Sequence, residues 1–223
     1  MLTVILDLLT PEQVKEIRRV VDQGSFADGK YTAGRRAQRV KHNLQMRKET
    51  EAEREIGQLL GNVLMANKLF RRQIQPKRIL DPLISRYTTG MEYGFHVDNA
   101  LMNKPQGLRT DVAVTIFLNS PADYGGGELL IDSPFGEQEV KLPDGAAVCY
   151  PASTLHRVTP VTRGERLAAI TWVQSYVRDP ARREILADID NVYQHLTDTD
   201  VDSEATDLAY KTYENLLRMW AEA

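Results

Sequence analysis

Hydrophobic positions along this chain change their period twice. Thr10-Pro11-Glu12-Gln13 offers an N-cap, a proline at the first helical position and a partner for a capping box, and Val14, Ile17, Val20 and Val21 then form an apolar stripe ending near Gly24. Ile56, Leu59, Leu60, Val63 and Leu64 repeat the helical spacing and predict a second helix from about Thr50 to Leu69, weakened slightly by Gly57 and Gly61. From Leu80 to Val173 the pattern becomes short apolar runs separated by Gly, Pro, Asn and Asp, which predicts an antiparallel double-sheet fold. Its strands are read over 83–87, 91–95, 145–151, 155–158 and 166–173. After Val177 the helical period returns. Asp179-Pro180 starts one helix with Ile185, Leu186, Ile189, Val192 and Tyr193 on its apolar face, and a second runs from about Glu204 to Trp220 with Leu208, Leu216 and Leu217. The expected architecture is α+β with a mainly β core, and three pieces follow: a helical support region over 1–77, a central domain over 78–177 and a helical extension over 178–223.

Composition narrows this only a little. With 223 residues, 42% of them hydrophobic, the chain can bury a real core. A net charge of -3 gives no case for general nucleic-acid binding. The single cysteine, Cys149, lies in an apolar run, so it reads as a buried structural thiol and no intrachain disulfide is available. Residues 1–9 are apolar but too short to span a membrane, lack a basic leader and are interrupted by Asp7, so a cytoplasmic protein is expected. Asp198-Thr199-Asp200-Val201-Asp202 mimics the opening of a calcium loop. Ser203 stands where that loop needs glycine and Ala209 where it needs glutamate, which leaves a solvated acidic linker.

Charge is distributed unevenly. Lys30, Arg35, Arg36, Arg39, Lys41, Arg47 and Lys48 fall within 30–48 without an acid among them, while 179–223 carries four basic and eleven acidic side chains. Two solvated surfaces are the favoured reading. The alternatives are that the basic stretch, with Arg109 beside the pocket, attracts an anionic or metal-chelating substrate, or that the two regions face each other within or between subunits. A homo-oligomer remains open.

The chemistry is concentrated in His96-Val97-Asp98 and His156. An H-x-D pair with a distant histidine supplies two neutral imidazoles and one carboxylate, the facial ligand set that leaves open positions on iron. Alternation on a strand would turn 96 and 98 to one face. His42 and His195 are read as packed or surface residues. Arg166 opens a buried strand with no carboxylate adjacent in sequence, so its guanidinium needs a partner from elsewhere.

These residues sit in an ordered series: Arg86-Tyr87-Thr88-Thr89-Gly90-Met91-Glu92-Tyr93-Gly94-Phe95-His96-Val97-Asp98-Asn99-Ala100, Arg109-Thr110-Asp111, Thr115-Ile116-Phe117-Leu118-Asn119, Gly125-Gly126-Gly127-Glu128-Leu129, His156 and Arg166. The series resembles the catalytic domain of Fe(II)- and 2-oxoglutarate-dependent dioxygenases of the prolyl 4-hydroxylase-like superfamily, and within it the bacterial PKHD-type hydroxylases. The resemblance implies a double-stranded β-helix (jelly roll). It assigns His96, Asp98 and His156 as iron ligands, Arg166 to the distal carboxylate of 2-oxoglutarate and Tyr87 to the same carboxylate. Some relatives carry a second tyrosine where this chain has Phe117, so the cradle is expected to lean on Arg166 and Tyr87. Asp98 favours hydroxylation over halogenation.

The implied activity is hydroxylation of a small-molecule or peptidyl substrate with O2, coupled to decarboxylation of 2-oxoglutarate to succinate. Ascorbate would keep the iron reduced, and such bacterial proteins are associated with iron uptake. Two other classes stand beside it: a non-catalytic iron and 2-oxoglutarate sensor signalling through its C-terminal helices, and a cupin-like metal enzyme that does not use 2-oxoglutarate, against which Arg166 argues.

Overall fold

The structure is a computed structural model that describes residues 2–47, 50–102 and 107–222, so Lys48 of the basic stretch lies outside the described residues. The first helix, α1 (Pro11–Gln23), begins at the capping box read from the sequence. The Gln13 amide donates to Thr10 Oγ1 at 3.2 Å, and the Thr10 amide donates to Gln13 Oε1 at 2.9 Å. The second expected helix is instead two, α2 (Glu51–Ala66) and α3 (Lys68–Ile74). Asn67 makes the break by accepting the Phe70 amide at 2.9 Å, which starts a new helix axis and brings Phe70 and Ile74 into the core.

The larger sheet runs, neighbour to neighbour, through Thr3–Ile5 (β1), Ala147–Pro151 (β14), Val112–Phe117 (β10), Val161–Ser175 (β16), Leu83–Thr88 (β6), Leu44–Met46 (β4) and Phe26–Asp28 (β2). Tyr124–Gly126 (β11) and Pro76–Ile79 (β5) also pair with β16. The smaller sheet runs through Gln138–Val140 (β13), Leu129–Ile131 (β12), His156–Val158 (β15), Glu92–His96 (β7) and Lys41–His42 (β3), and Leu101–Met102 (β8) pairs with Leu108–Arg109 (β9). The region 1–77, expected to be helical, thus also gives strands to both sheets.

Strand alternation divides the interior in two. On β10, Val112, Val114 and Ile116 pack toward α1, α2 and α3, while Ala113 and Phe117 turn toward the smaller sheet. On β14, Ala147 and Cys149 take the helix side, and Val148 and Tyr150 the side between the sheets. Both faces of these strands are covered, which is why they read as continuous apolar runs. The Cys149 thiol is free and buried, and desolvation pushes its pKa up to about 12.

The C-terminal hairpin of α4 (Pro180–Thr199) and α5 (Glu204–Trp220) follows the expected bounds, with Asp179 and Ser203 as N-caps. Asp200 and Asp202 are exposed in the linker between them. The buried face of α4 is rotated from the apolar stripe and keeps part of it, with Leu186 buried and Ile189 and Tyr193 partly buried. Arg183, Leu186, Ala187 and Asp190 are buried, whereas Ile185 and Val192 are about half exposed. Two ionic side chains decide the rotation: Arg183 donates to the Val177 and Arg178 carbonyls at 2.7 and 2.9 Å, and Asp190 pairs with Arg72 of α3. The hairpin is tied down further by Gln75 donating to the Tyr213 hydroxyl at 2.9 Å and by the ion pair of Arg109 with Glu222. No helix among the described residues is long and apolar enough to cross a membrane.

Candidate active site

The two histidines meet because β7 and β15 pair with His96 directly opposite His156. Their ring centroids are 4.2 Å apart. Strand β7 ends at His96, so Asp98 lies in the loop beyond and not on the strand expected for it. That loop is held from the other side: Thr110 Oγ1 donates to the Asn99 carbonyl at 2.6 Å, and the Thr110 amide donates to the Ala100 carbonyl at 3.1 Å. The Asp98 carboxylate reaches to 4.0 Å from His156 Nε2, and ligand atoms of His96, Asp98 and His156 all lie within 4.8 Å of one another. His42 and His195 are exposed and take no part in this group.

Backbone carbonyls set the ring protonation. His96 Nδ1 lies 2.8 Å from the Gly94 carbonyl and His156 Nδ1 3.0 Å from the Thr154 carbonyl. A carbonyl only accepts, so each Nδ1 carries a proton, and Nε2 of each ring in its neutral form is the nitrogen left to bind a metal. Tyr93 stacks on His96 at 3.5 Å between centroids and fixes the ring plane. Burial, with the neighbouring His156, pulls the His96 pKa down to about 3, so its imidazole is neutral at pH 7. Burial raises the Asp98 pKa, while His156, Trp172 and Lys41 oppose that shift. A divalent cation would relieve both costs, and two neutral imidazoles with one carboxylate suit iron.

The triad lines a cavity whose wall also includes Arg166. Arg166 is 1% exposed, and its Nε and Nη1 have no hydrogen-bond partner. Among the described residues no carboxylate pairs with it. Its direct cross-strand neighbour is Tyr87, whose ring centroid lies 5.2 Å from the guanidinium carbon, and Phe117 flanks it at 5.6 Å. The buried Tyr87 hydroxyl has no hydrogen-bond partner either. An orphaned guanidinium beside an orphaned phenol is a cradle for a carboxylate.

Three parts of the site escaped the sequence reading. Tyr124 brings a buried hydroxyl toward Arg166, which offsets the missing hydroxyl at Phe117. Gly127 makes room for both: at φ 68° it sits where a Cβ would lie 3.0 Å from Arg166 Cδ and 3.1 Å from Tyr124 Cε2. Lys41 is buried in the cavity wall, and desolvation lowers its pKa to about 8. Its membership of a basic run hid it, since Lys30, Arg35, Arg36, Arg39 and Arg47 of that run are indeed exposed. Arg109 corrects the opposite way. It does not line the cavity but forks onto Asp111 at 2.7 and 2.9 Å and binds Glu222, so it is a structural tie.

Comparison with known proteins gives the family of the chain. Residues 82–174 match the 2OG-Fe(II) oxygenase superfamily, and residues 180–222 match the PKHD-type hydroxylase C-terminal domain. A PKHD-type hydroxylase of Synechococcus sp. (strain JA-2-3B'a(2-13)) is 48% identical over 223 residues, covering the whole of both chains. Among solved structures, a prolyl hydroxylase from Trichoplax adhaerens in complex with a hypoxia inducible factor peptide fragment superposes with a TM-score of 0.61 at 17% identity, covering 82% of this chain and 86% of that one. HygX from Streptomyces hygroscopicus, with nickel and 2-oxoglutarate bound, gives 0.54 at 14% identity, covering 79% and 84%. At such low identity these two show the fold alone. The near-half identity over full length shows more: this chain is an oxygenase that belongs to the PKHD-type hydroxylase family.

Proposed function

We propose that the protein hydroxylates a C–H bond of its substrate, using Fe(II) held by His96, Asp98 and His156 and 2-oxoglutarate held by Arg166 and Tyr87. The observation that carries this reading is the unpartnered, buried Arg166 guanidinium in the same cavity as the triad. We read the two facing sheets as a double-stranded β-helix, with 78–177 as its catalytic part between a support region over 1–77 and the extension over 178–223.

When bound, iron and 2-oxoglutarate would supply the oxidising chemistry, with O2 consumed, carbon dioxide and succinate released and one oxygen atom passed to the substrate. The chain's own residues do the positioning. The Gly94 and Thr154 carbonyls aim two imidazole lone pairs at one point, and Asp98 adds a negative charge there. Arg166, between Tyr87 and Phe117, gives the distal carboxylate a forked donor in a water-poor pocket, where a charge-assisted bond is strong. Trp172, Leu129 and Val158 wall the same cavity with apolar surface and limit water around the reacting atoms. Ascorbate fits as the reductant that keeps iron ferrous. We place the protein in the cytoplasm, where that iron and 2-oxoglutarate are available. A role in iron uptake would make iron-chelating small molecules the first substrates to try, with peptidyl substrates as the other class.

Anaerobic titration with Fe(II) and then 2-oxoglutarate should produce a charge-transfer absorption in the wild type. Asp98→Ala should bind Fe(II) much more weakly and lose that band, and on admitting O2 only the wild type should make succinate. Equal iron affinity in the two proteins would remove Asp98 from the ligand set. Full binding without succinate would favour a sensor.

A further inference from the structure

Strands β3 and β4 place Lys41, Asn43 and Gln45 along one wall of the cavity at a period of two, all three buried and all three polar. A wall of this kind is costly to keep unless something bonds to it. Gln45 is accounted for: its Nε2 lies 3.4 Å from Ser85 Oγ, and its Oε1 accepts from the Thr32 hydroxyl. Lys41 and Asn43 are not. Lys41 Nζ has three donors and uses one, to Thr32 Oγ1 at 3.0 Å; among the described residues no carboxylate lies within ion-pair distance of it. Asn43 is 2% exposed with neither amide atom in a good hydrogen bond, and it lies against Tyr87, on the Arg166 side of the wall. The place is built to hold it, since a Cβ on Gly29 would lie 1.9 Å from Asn43 Oδ1.

The position of Lys41 relative to the triad is fixed by rings. Its ammonium lies 5.1 Å from the centroid of Tyr93, its direct partner in the β3–β7 pairing, and Tyr93 stacks on His96. Lys41 therefore stands beside the metal ligands, close enough to act on the Asp98 carboxylate. The Thr32–Gln45–Ser85 chain of hydrogen bonds holds the ammonium in place without neutralising it.

We infer that Lys41 binds a carboxylate beside the metal ligands, a second anion site distinct from the Arg166 cradle. One ammonium with two open donors matches the two oxygens and single charge of that group. The inference rests on the cofactor reading proposed above for which carboxylates enter the cavity. Two sources share this chemistry: the metal-chelating end of 2-oxoglutarate and a carboxylate on the primary substrate.

Calorimetry on the nickel-loaded protein separates them, with 2-oxoglutarate titrated first and acetate titrated both before and after 2-oxoglutarate is present. Lys41→Met should weaken one of these bindings tenfold or more, and Lys41→Arg should recover most of it. A loss in the 2-oxoglutarate titration assigns the site to the cosubstrate; a loss confined to acetate assigns it to a substrate carboxylate. Melting of the unliganded proteins guards against a folding artefact. Removing a buried, unpaired charge should leave Lys41→Met at least as stable as the wild type, whereas a lysine that serves the fold would lower its melting temperature. If Lys41→Met binds both probes as the wild type does, the second anion site does not exist. If the wild type takes up no 2-oxoglutarate with nickel present, the cofactor reading fails, and the acetate titrations of the two proteins still decide the role of Lys41.

Discussion

The single most consequential residue is Arg166, because its environment admits no indifferent role. Losing a charge-assisted pair in a desolvated pocket costs about 2 to 5 kcal/mol, so Arg166→Ala should weaken 2-oxoglutarate binding roughly 30-fold or more. Arg166→Lys should fall between, since it keeps the charge and loses the fork. Equal affinity in the alanine variant and the wild type would make Arg166 structural. The need for a partner was legible in the sequence, as was the type of all three triad residues. The burial of Lys41 was not, because its neighbours in the basic run are solvated and only pairing of β3 with β7 turns it inward. Cys149 behaves as read. With its pKa raised to about 12, the folded protein should resist thiol alkylation at pH 8 and react on unfolding. The sign of its linkage follows: its contribution is full below the unfolded thiol's pKa and is lost as pH rises from there toward about 12. Rapid native alkylation at pH 8 would contradict its burial.

At the scale of elements, helix existence was easier to read than helix faces. Capping boxes and proline starts are local, and α1 and α4 begin where those signals stand, while α5 follows its apolar period. The break at Asn67 was hidden because an asparagine inside an apolar period becomes a cap only when Phe70 has a core to enter. On α4 the buried face keeps Leu186, Ile189 and Tyr193 of the apolar stripe but leaves Ile185 and Val192 out, because the Asp190–Arg72 pair and the Arg183 bonds to backbone carbonyls set its rotation. Asp190→Ala leaves Arg72 without its partner while that arginine stays a third exposed, so a loss of about 1 to 3 kcal/mol is expected in chemical denaturation. No loss would show that the pair does not set the docking of α4. The β11–β12 turn carries its own prediction. Gly127→Ala strains a positive φ at about 1 kcal/mol or more and presses on Arg166, so 2-oxoglutarate affinity should fall along with stability. A purely thermal effect with unchanged affinity would separate the turn from the site.

For the whole molecule, the C-terminal hairpin is a docked part and not a tail. It contacts α3 through Arg72, Gln75 and their partners, and the Arg109–Glu222 pair closes its end against the β core. Deleting 179–223 should therefore lower the melting temperature by several degrees while leaving Fe(II) affinity unchanged, since His96, Asp98 and His156 lie elsewhere. Unaltered melting would refute the docking; lost iron binding would mean that the hairpin supports the site.

The sequence by itself determined the classes of element and the chemical types at the site. Both rest on short-range facts: side-chain period, caps, and a His-x-Asp spacing beside a distant histidine and an arginine ten residues after it. Long-range packing alone set which polar groups are buried around the cavity with bonding capacity unused. Lys41, Asn43, Tyr87, Tyr124 and Arg166 come from stretches far apart in the chain, and their shared cavity exists only because long-range pairing lays β3, β6, β7, β15 and β16 around it. Whether a charge is solvated or held in wait for a ligand depends on what surrounds it in space, and no local pattern records that.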